Sequence, residues 1–439
     1  MKTADHILRK RYGLLTLAVA LTLLVRLVYG LVVFDRIADR YSWRLDDEYS
    51  DIASTVITSG KYALSETSPP TMRRLPAHPL FLAAIYATFG RSPVAVRIFQ
   101  TLLCAITCVL VYLTAREVTN ERVAGIASLF FALYPNSILY SARTLSETTY
   151  SLLLSAFCLT LVRQFKSPGI RTSIATGLAF GTLLLTKSTT LLLPPFLLLT
   201  LLSVHYRKKL WRAIGSAALA VFVAVLVISP WAIRNYKLTG RMTVLSTWGG
   251  APFYHGYYLA THLLEGRSGF QLDHDAAQER RRLVDERYTP SGQPIDEYYQ
   301  DKITYSLVWK KIKARPLYSF GIFLRNVFLT WFLTYGHLTT IISFFVHMPL
   351  LLLTGYAVLV MPKRDPGVWI KTLPLLLVVV YFDLFHAIVY PHARYMAPVT
   401  GTIVTILAAY SVSHLLSLAG PLRARYVTGN PRKAGPRRS

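Results

Sequence analysis

Residues 44–79 read RLDDEYSDIASTVITSGKYALSETSPPTMRRLPAHP, and they separate the first long apolar run of the chain from all later ones. The stretch is polar, begins with carboxylates and ends with cations, in the order Asp46, Asp47, Glu48, Asp51, Arg73, Arg74 and His78. One interpretation is a solvated loop whose charges keep it out of a bilayer. The other is a loop that holds acid–base groups and cations at a membrane surface, within reach of a phosphorylated lipid.

The composition is that of a polytopic helical membrane protein. Of the 439 residues, 53% are hydrophobic and 16% are charged, and the mean hydropathy is +0.39. The apolar runs are continuous rather than alternating, which argues against a β-barrel. The formal charge of +26 does not indicate nucleic acid, because the cations cluster at the ends of apolar runs, where anionic lipid attracts them. The cysteines lie inside apolar runs and indicate core packing.

The sequence predicts an all-α membrane protein with about 10–12 transmembrane helices, since a span needs about 20 apolar residues. The first run lacks a small-residue cleavage site and is predicted to be a retained span. The segment 317–336 is predicted to be interfacial or re-entrant; counting it as a span would place the carboxy-terminal tail outside. The ten spans that we place are 12–34, 93–115, 122–141, 147–165, 171–187, 189–205, 212–233, 340–361, 369–390 and 395–418.

The distribution of cations predicts the orientation. Basic connections belong inside, together with the amino terminus, and they occupy residues 116–122, 163–171, 205–212 and 361–367. We therefore predict a transmembrane domain over 1–418 and a basic cytoplasmic tail over 419–439. The loop 35–91, which includes a short interfacial helix from His78, then lies on the outer face. So does the loop 234–316, which is long enough to cover a substrate.

Acids and cations recur at the predicted outer ends of the spans. Asp46 and Asp47 are candidates for a base that takes a proton from a hydroxyl group. Glu147 opens a span, either as a helix-capping acid or as a second acid near Asp46 and Asp47. Each cation alone fits a snorkelling anchor, but together they form a positive rim at the depth of lipid phosphates. The residues of this rim are Arg143, Lys187, His392, Arg394 and Tyr395.

Several segments, in this order, resemble the bacterial membrane glycosyltransferases of the GT-C fold class. That class includes the protein O-mannosyltransferases and the aminoarabinose transferase of lipid A. The resemblance covers nearly the whole chain up to about residue 418, and it is specific in the order of the motifs. The matching segments are DDEYSDIA from Asp46, RLPAHPLFLAAIY from Arg74, VRIFQTLL from Val96, ALYPNSILYSARTLSET from Ala132, LLTKS from Leu184, PWAIRNYKLTGR from Pro230 and ARYMAP from Ala393.

The resemblance implies an inverting transfer of a sugar from a polyprenyl-phosphate donor to a hydroxyl group of a lipid, a glycan or a protein. It places the protein in a bacterial inner membrane, with the active site facing outside. The base falls to Asp46 or Asp47, and the acid lies closer to the following tyrosine than is usual in the family, so both stay candidates. Glu147 matches the family's second acid. Lys187, Arg394, Arg74 and His392 match residues that bind the donor phosphate.

No cofactor is required by this chemistry, although paired acids are compatible with a divalent cation. One alternative is a lipid or sugar transporter, which would show repeated halves and broken helices near the middle of the membrane. Another is a membrane scaffold, which has no need for acids and cations on one face. The sequence shows no internal repeat and few acids within the spans, which favours the transferase.

Overall fold

The computed structural model describes residues 2–36, 48–198, 210–288 and 296–427. These residues form helices joined by short connections, with no strand among them, and the predicted all-α class is confirmed. Helices are the expected result, because a chain within a bilayer has to satisfy its backbone hydrogen bonds internally. In the described ranges the three cysteines are buried and unpaired, as predicted.

The helices are numbered here in chain order. They are α1 (Lys2–Val28), α2 (Tyr49–Ser59), α3 (Ala77–Phe89), α4 (Pro93–Val118), α5 (Glu121–Leu133), α6 (Pro135–Ser141), α7 (Glu147–Lys166), α8 (Ile170–Leu184), α9 (Leu210–Thr239), α10 (Gly250–His262), α11 (Gly269–Tyr288), α12 (Glu297–Ala314), α13 (Pro316–Leu329), α14 (His337–Arg364), α15 (Pro366–Val389), α16 (Ala393–Val399) and α17 (Thr405–Val427). A π-helical turn, Tyr29–Val33, continues α1, and another, Thr400–Val404, joins α16 to α17.

Fewer helices than the ten predicted spans are long and apolar enough to cross a membrane. In the described ranges six pass by length and composition, or seven if the bent pair α5 and α6 is one span. Helix α7 coincides with the predicted span 147–165 but does not pass, and it carries charges at both ends. Helix α8, within the predicted span 171–187, has only 15 residues and is too short. The predicted span 189–205 runs into residues 199–209, which lie outside the described ranges. The six are Tyr12–Arg36, Pro93–Val118, Leu210–Thr239, His337–Arg364, Pro366–Val389 and Ala393–Ala419.

Arg26, a cation within the predicted span 12–34, is buried in the structure. Its position near the end of a predicted span suggests a side chain that snorkels to the membrane surface, but the side chain is 1% exposed. Helices α5 and α6 meet at an angle of 53° before Pro135, so the carbonyls at the end of α5 lack helical partners. The Arg26 guanidinium donates to two of them, Ala132 O at 2.9 Å and Phe131 O at 3.2 Å. The cation therefore stabilises a bend inside the bundle.

Helices α8 and α9 pack closely because two glycines of α8 face α9. A Cβ atom at Gly177 would lie 2.5 Å from the Ala220 carbonyl oxygen, and one at Gly181 would lie 2.6 Å from Val227 Cβ. These two glycines are four residues apart, so they share one face of α8 and let the backbones approach.

Replacing Gly177 with alanine is expected to destabilise the protein by about 1–3 kcal/mol, because the new methyl group overlaps backbone atoms that cannot move aside. The matched control is Gly215→Ala on α9, where a Cβ meets nothing within 4 Å. That change is expected to stabilise by up to about 1 kcal/mol through helix propensity alone. The midpoint of thermal unfolding in detergent measures both. Shifts of the same sign at the two positions would contradict this account of the packing.

The ends of the membrane helices sort into two groups by the direction in which the chain runs. One end of the bundle carries the short connections α4–α5, α7–α8 and α14–α15. The other end, which we call the site end, carries residues 48–92 and 240–336. Helix α13 stays at the site end, since Asn326 Nδ2 donates to Ala387 O at 3.0 Å near the end of α15. With 14 residues, α13 is also too short to span, in line with the prediction for 317–336.

Helices α10, α11 and α12 form a small layer over the site end. Their inward side chains build a separate apolar cluster, which includes Phe253, Tyr254, Leu272 and Val308. The cluster also includes Tyr390, at the end of α15, so the layer is packed against the membrane bundle. This contact holds the layer directly above the helix ends that carry the candidate site residues.

Candidate active site

A buried group of three charged side chains lies at the site end. Glu147, the first residue of α7, is 1% exposed. Lys187 Nζ lies 2.8 Å from Glu147 Oε1, and Arg394 Nε lies 2.6 Å from the same oxygen. Arg394 Nη2 approaches Glu147 Oε2 at 3.4 Å. The structure therefore brings together three residues that the sequence singled out separately.

The local structure explains why these side chains meet. Helix α8 ends at Leu184, and Lys187 follows in an extended conformation that leads into the 3-10 turn Ser188–Thr190. Arg394 lies in the first turn of α16, after a break in the helical path from α15. Each residue is thus at the end of an element, at the depth where Glu147 begins α7. A carboxylate buried this deeply requires charged partners, and two cations around it leave one positive charge in excess.

The two cations form part of the wall of a cavity of about 250 Å³ at the site end. Four cationic side chains and one carboxylate, Asp273, are on the described part of this wall. Such a cavity is electrostatically suited to an anion. The wall is formed by Tyr49, Arg73, Arg74, Leu75, Thr186, Lys187, Ser188, Thr189, Ser246, Trp248, Ala251, Pro252, His255, Asp273, Tyr335, Tyr390, Arg394 and Tyr395.

The predicted residues Arg74 and Tyr395 also lie on the cavity wall. Arg74 Nε is 3.1 Å from Glu48 Oε2, and its guanidinium lies 5.2 Å from the centre of the Trp248 ring. Tyr395 stacks on His386 with a distance of 4.9 Å between ring centres, and Lys187 Nζ lies 5.3 Å from the Tyr395 ring centre. The tyrosine thus contributes a ring face to the cation rather than a charge.

His392 and Arg143, both predicted for the phosphate site, are absent from the described wall of the cavity. His392 is buried, and its Nδ1 accepts a hydrogen bond from the Arg394 backbone N–H at 3.0 Å. Burial lowers the pKa of His392 to about 3, and the Arg394 charge acts in the same direction, so the ring is neutral and able to accept. His392 therefore positions Arg394. Arg143 lies in the connection between α6 and α7, where its carbonyl oxygen accepts from Gln100 Nε2 at 2.9 Å.

Asp46 and Asp47, the predicted base candidates, lie outside the described residues. The next residue, Glu48, is described, and it has a left-handed backbone conformation with φ of 67°. Its carboxylate approaches Arg73 at 3.6 Å and Arg74 at 3.1 Å. Because Arg73 and Arg74 both line the cavity, their partner Glu48 lies at the edge of the candidate site.

The sequence analysis missed a second acid–base group on the wall. Asp273 Oδ1 lies 3.0 Å from His255 Nδ1 and 3.0 Å from the hydroxyl oxygen of Tyr390, which donates to it. Burial opposes ionisation of Asp273, but its hydrogen bonds with His255 and Tyr390 hold the pKa below the usual value. The other ring nitrogen of His255, Nε2, is buried and has no hydrogen-bond partner among the described residues. Asp273 lies in the charged segment LDHDAAQERRRLVDER, residues 272–287, where nothing local marks it as a site residue.

No group of three or more histidine, cysteine, aspartate or glutamate residues with the geometry of a metal site occurs within the described ranges. Asp46 and Asp47 lie outside those ranges. The compatibility of the paired acids with a divalent cation therefore stays a prediction.

Comparison with known proteins supports the predicted resemblance. The model of the dolichyl-phosphate-mannose-protein mannosyltransferase family matches residues 69–233. This range contains Arg74, Glu147 and Lys187, but it ends before Asp273 and Arg394. No curated protein sequence matches the chain significantly.

Three solved structures show how far the similarity in fold extends. The Archaeoglobus fulgidus oligosaccharyltransferase tethered with an acceptor peptide has a TM-score of 0.58 at 14% identity, covering 97% of this chain and 52% of that one. Its apo form gives 0.56 at 13% identity, with 96% and 53% covered. ArnT from Cupriavidus metallidurans bound to undecaprenyl phosphate gives 0.43 at 17% identity, with 96% and 82% covered. The chain spans about half the length of the archaeal enzyme. The predicted fold is confirmed, and the chain has the GT-C fold of membrane glycosyltransferases.

Proposed function

We propose that the protein is an inverting glycosyltransferase, which moves a sugar from a polyprenyl-phosphate donor to a hydroxyl acceptor. The observation that carries the proposal is the buried Glu147–Lys187–Arg394 group behind the wall of a cationic cavity. The group carries one excess positive charge, which the single negative charge of a phosphodiester donor neutralises. A membrane protein with the GT-C fold and such a cavity meets the chemical requirements of this transfer.

In the reaction, the acceptor oxygen attacks the anomeric carbon while the bond from that carbon to the phosphate oxygen breaks. The electron pair of the broken bond stays on the phosphate, so the leaving polyprenyl phosphate gains a negative charge. Lys187 and Arg394 stabilise this charge, and they are already oriented by Glu147 before the donor binds. The leaving group needs no proton, whereas the acceptor hydroxyl must lose one to a base.

A second cavity, farther from the site end, offers a place for part of the lipid tail. It has a volume of about 600 Å³ and a largely apolar wall, which includes Phe157, Phe180 and Pro194. The short helix Ser188–Leu198 connects the two cavities, since Ser188 lies on the wall of the cationic cavity and Pro194 on that of the apolar one. The phosphate of such a donor fits the polar cavity, and its isoprenoid chain fits the apolar one.

Two sets of residues are candidates for the base. The sequence favours Asp46 or Asp47, which precede the edge of the cavity. The structure adds the pair His255 and Asp273, in which the unpartnered His255 Nε2 would accept the proton while Asp273 holds the ring.

We further propose that the site end faces outside a bacterial inner membrane. The basic connections 116–122, 163–171 and 361–367 lie at the opposite end of the bundle, which the positive-inside rule places in the cytoplasm. In this orientation the layer formed by α10–α12 covers the site on the outer face, where the loop 234–316 is predicted to lie. The transporter alternative is less favoured, because the residues of the cationic cavity gather at the site end of the bundle rather than along a path through it.

The test of the base is a comparison of Asp46→Asn, Asp47→Asn and Asp273→Asn in membranes that contain the full chain. Release of polyprenyl phosphate from a labelled donor is measured. We expect one of the first two changes to slow release by about 10²–10⁴-fold, the usual contribution of a general base. Asp273→Asn is expected to slow it by less than tenfold, because Asp46 or Asp47 then remains as the base.

Asp51→Asn is the control, since its carboxylate is half exposed and paired with Arg91 at 2.9 Å. A large loss in Asp273→Asn, with normal release in both other variants, would move the base to His255 and Asp273. If the wild-type protein releases nothing from any polyprenyl-phosphate sugar, the transferase proposal fails and the transporter alternative moves ahead.

A further inference from the structure

A second polar cavity adjoins the candidate active site. It has a volume of about 360 Å³, and it lies between α11, α12 and the residues that follow Asp47. Arg73 and Trp248 belong to the walls of both cavities, so these side chains lie between the two spaces. The wall is formed by Glu48, Arg73, Trp248, Arg280, Arg281, Val284, Asp285 and Gln300.

Arg280 is the unusual residue of this cavity. Its side chain is on the wall and the residue is only 8% exposed, yet in the described part of the protein it makes no ion pair, and its Nε has no hydrogen-bond partner. The guanidinium carbon lies 5.6 Å from the centre of the Trp248 ring. Arg73 and Arg74 approach the same ring at 5.2 Å each, so three cations surround one indole. A buried, unpaired guanidinium is costly unless a ligand supplies the counter-charge.

No carboxylate in the described ranges forms an ion pair with Arg280, and Asp301, which is not on the described cavity wall, acts on it only through space. Glu48 is engaged with Arg73 and Arg74 at 3.6 and 3.1 Å, and Arg73 also lies 3.3 Å from Glu297. Asp285 is the other carboxylate on the wall, and no ion pair joins it to Arg280 within the described ranges. Arg281 adds a second guanidinium at the exposed rim. Several arginine side chains that line one cavity, with guanidinium N–H groups not bonded to other residues, are the usual means of binding a phosphate group.

We propose that this cavity binds a phosphate group of the acceptor, and that the enzyme therefore transfers sugar to a phosphate-bearing hydroxyl compound. The inference rests on the proposed function and specifies its second substrate. The donor phosphate occupies the cavity beside Lys187 and Arg394, and the acceptor phosphate lies on the other side of Arg73 and Trp248. The acceptor hydroxyl then faces the donor cavity.

The test is equilibrium binding of labelled glucose 6-phosphate to the purified full chain, without any donor. Arg280→Gln is expected to weaken binding by at least tenfold, because a charge-assisted hydrogen bond contributes about 1.5–3 kcal/mol. Arg281→Gln, at the rim, is expected to weaken it by a smaller factor. The matched control is Arg282→Gln, whose side chain is 71% exposed and pairs with Glu286 at 3.6 Å, and it should bind as the wild type does.

The outcomes are distinct from those of the transfer assay. Equal binding by wild type and Arg280→Gln, or no binding by wild type, overturns the inference even if sugar transfer is confirmed. Loss of binding in Lys187→Gln but not in Arg280→Gln also overturns it, because the probe would then occupy the donor cavity. If Arg280→Gln does not fold, Arg281→Gln decides.

A second arm distinguishes the two sources of phosphate. It measures binding of the protein in nanodiscs of phosphatidylcholine with and without phosphatidic acid, as competition against glucose 6-phosphate. Competition by phosphatidic acid that depends on Arg280 identifies a lipid phosphate. Binding of the sugar phosphate without such competition identifies a soluble phosphorylated glycan.

Discussion

Replacing Arg394 with glutamine is expected to slow sugar transfer by about 10²–10³-fold, the usual cost of removing one donor that stabilises a developing negative charge. The guanidinium lies on the cavity wall, and its Nε is 2.6 Å from Glu147, so it is fixed before the donor binds. The charge on the phosphate grows as the bond to the sugar breaks. The loss should therefore fall mainly on kcat, with a smaller change in KM.

The protein should stay folded in this variant. Lys187 remains 2.8 Å from Glu147, so the buried carboxylate keeps one cation and the group is neutral. Arg394→Lys is expected to recover part of the rate, because it keeps the charge but loses the planar fork of donors. Single-turnover release of polyprenyl phosphate measures all variants.

Lys166→Gln serves as the control for the loss of a cation. Lys166 is at the other end of α7 and pairs with Glu117 at 2.6 Å, far from the cavity. Its release rate should equal that of wild type. An unchanged rate in Arg394→Gln would show that Arg394 only neutralises Glu147, and the proposed donor site would be wrong.

Replacing Glu147 with glutamine is expected to destabilise the fold by about 3–5 kcal/mol, the cost of leaving a buried charge without its partner. Glu147 is 1% exposed and lies between two cations, which would repel each other once the carboxylate is removed. Thermal unfolding in detergent, at neutral pH, measures the change. Adding Lys187→Met to the variant removes one of the stranded charges and is expected to restore part of the stability.

The chain contains a matched control for this change. Glu117 also binds one arginine and one lysine, Arg163 at 3.0 Å and Lys166 at 2.6 Å, but these side chains are 46% and 36% exposed. Glu117→Gln should cost no more than about 1 kcal/mol, as is usual for a surface ion pair. Equal losses in the two glutamine variants would contradict the view that burial makes Glu147 essential.

Burial also changes the role predicted for Glu147. The sequence left open whether it caps a helix or acts as a second acid at the site. In the structure both of its oxygens face cations, and it is not on the described wall of the cavity. We therefore interpret Glu147 as the residue that orients Lys187 and Arg394, and not as the residue that takes the acceptor proton.

The sequence by itself determined the helical membrane class, because long apolar runs need internally satisfied backbones and leave no other solution within a bilayer. It also singled out Lys187 and Arg394 as candidates, since a cation at the end of an apolar run stands out against its neighbours. Tertiary structure alone decided which of these cations share a carboxylate. Glu147 and Arg394 are 247 positions apart, and hydrophobic periodicity carries information only over a few helical turns.

The same limit explains Arg26, Asp273 and Arg280. The sequence alone suggests that Arg26 is a surface anchor, because the bend that needs its N–H donors lies more than 100 positions later in the chain. Asp273 and Arg280 belong to a charged helix of ordinary appearance, and only the packing of α10–α12 on the bundle turns these two side chains toward the cavities. A single sequence predicts which segments are helical from local patterns. The burial of a charge depends on contacts between distant segments, and those exist only in the folded chain.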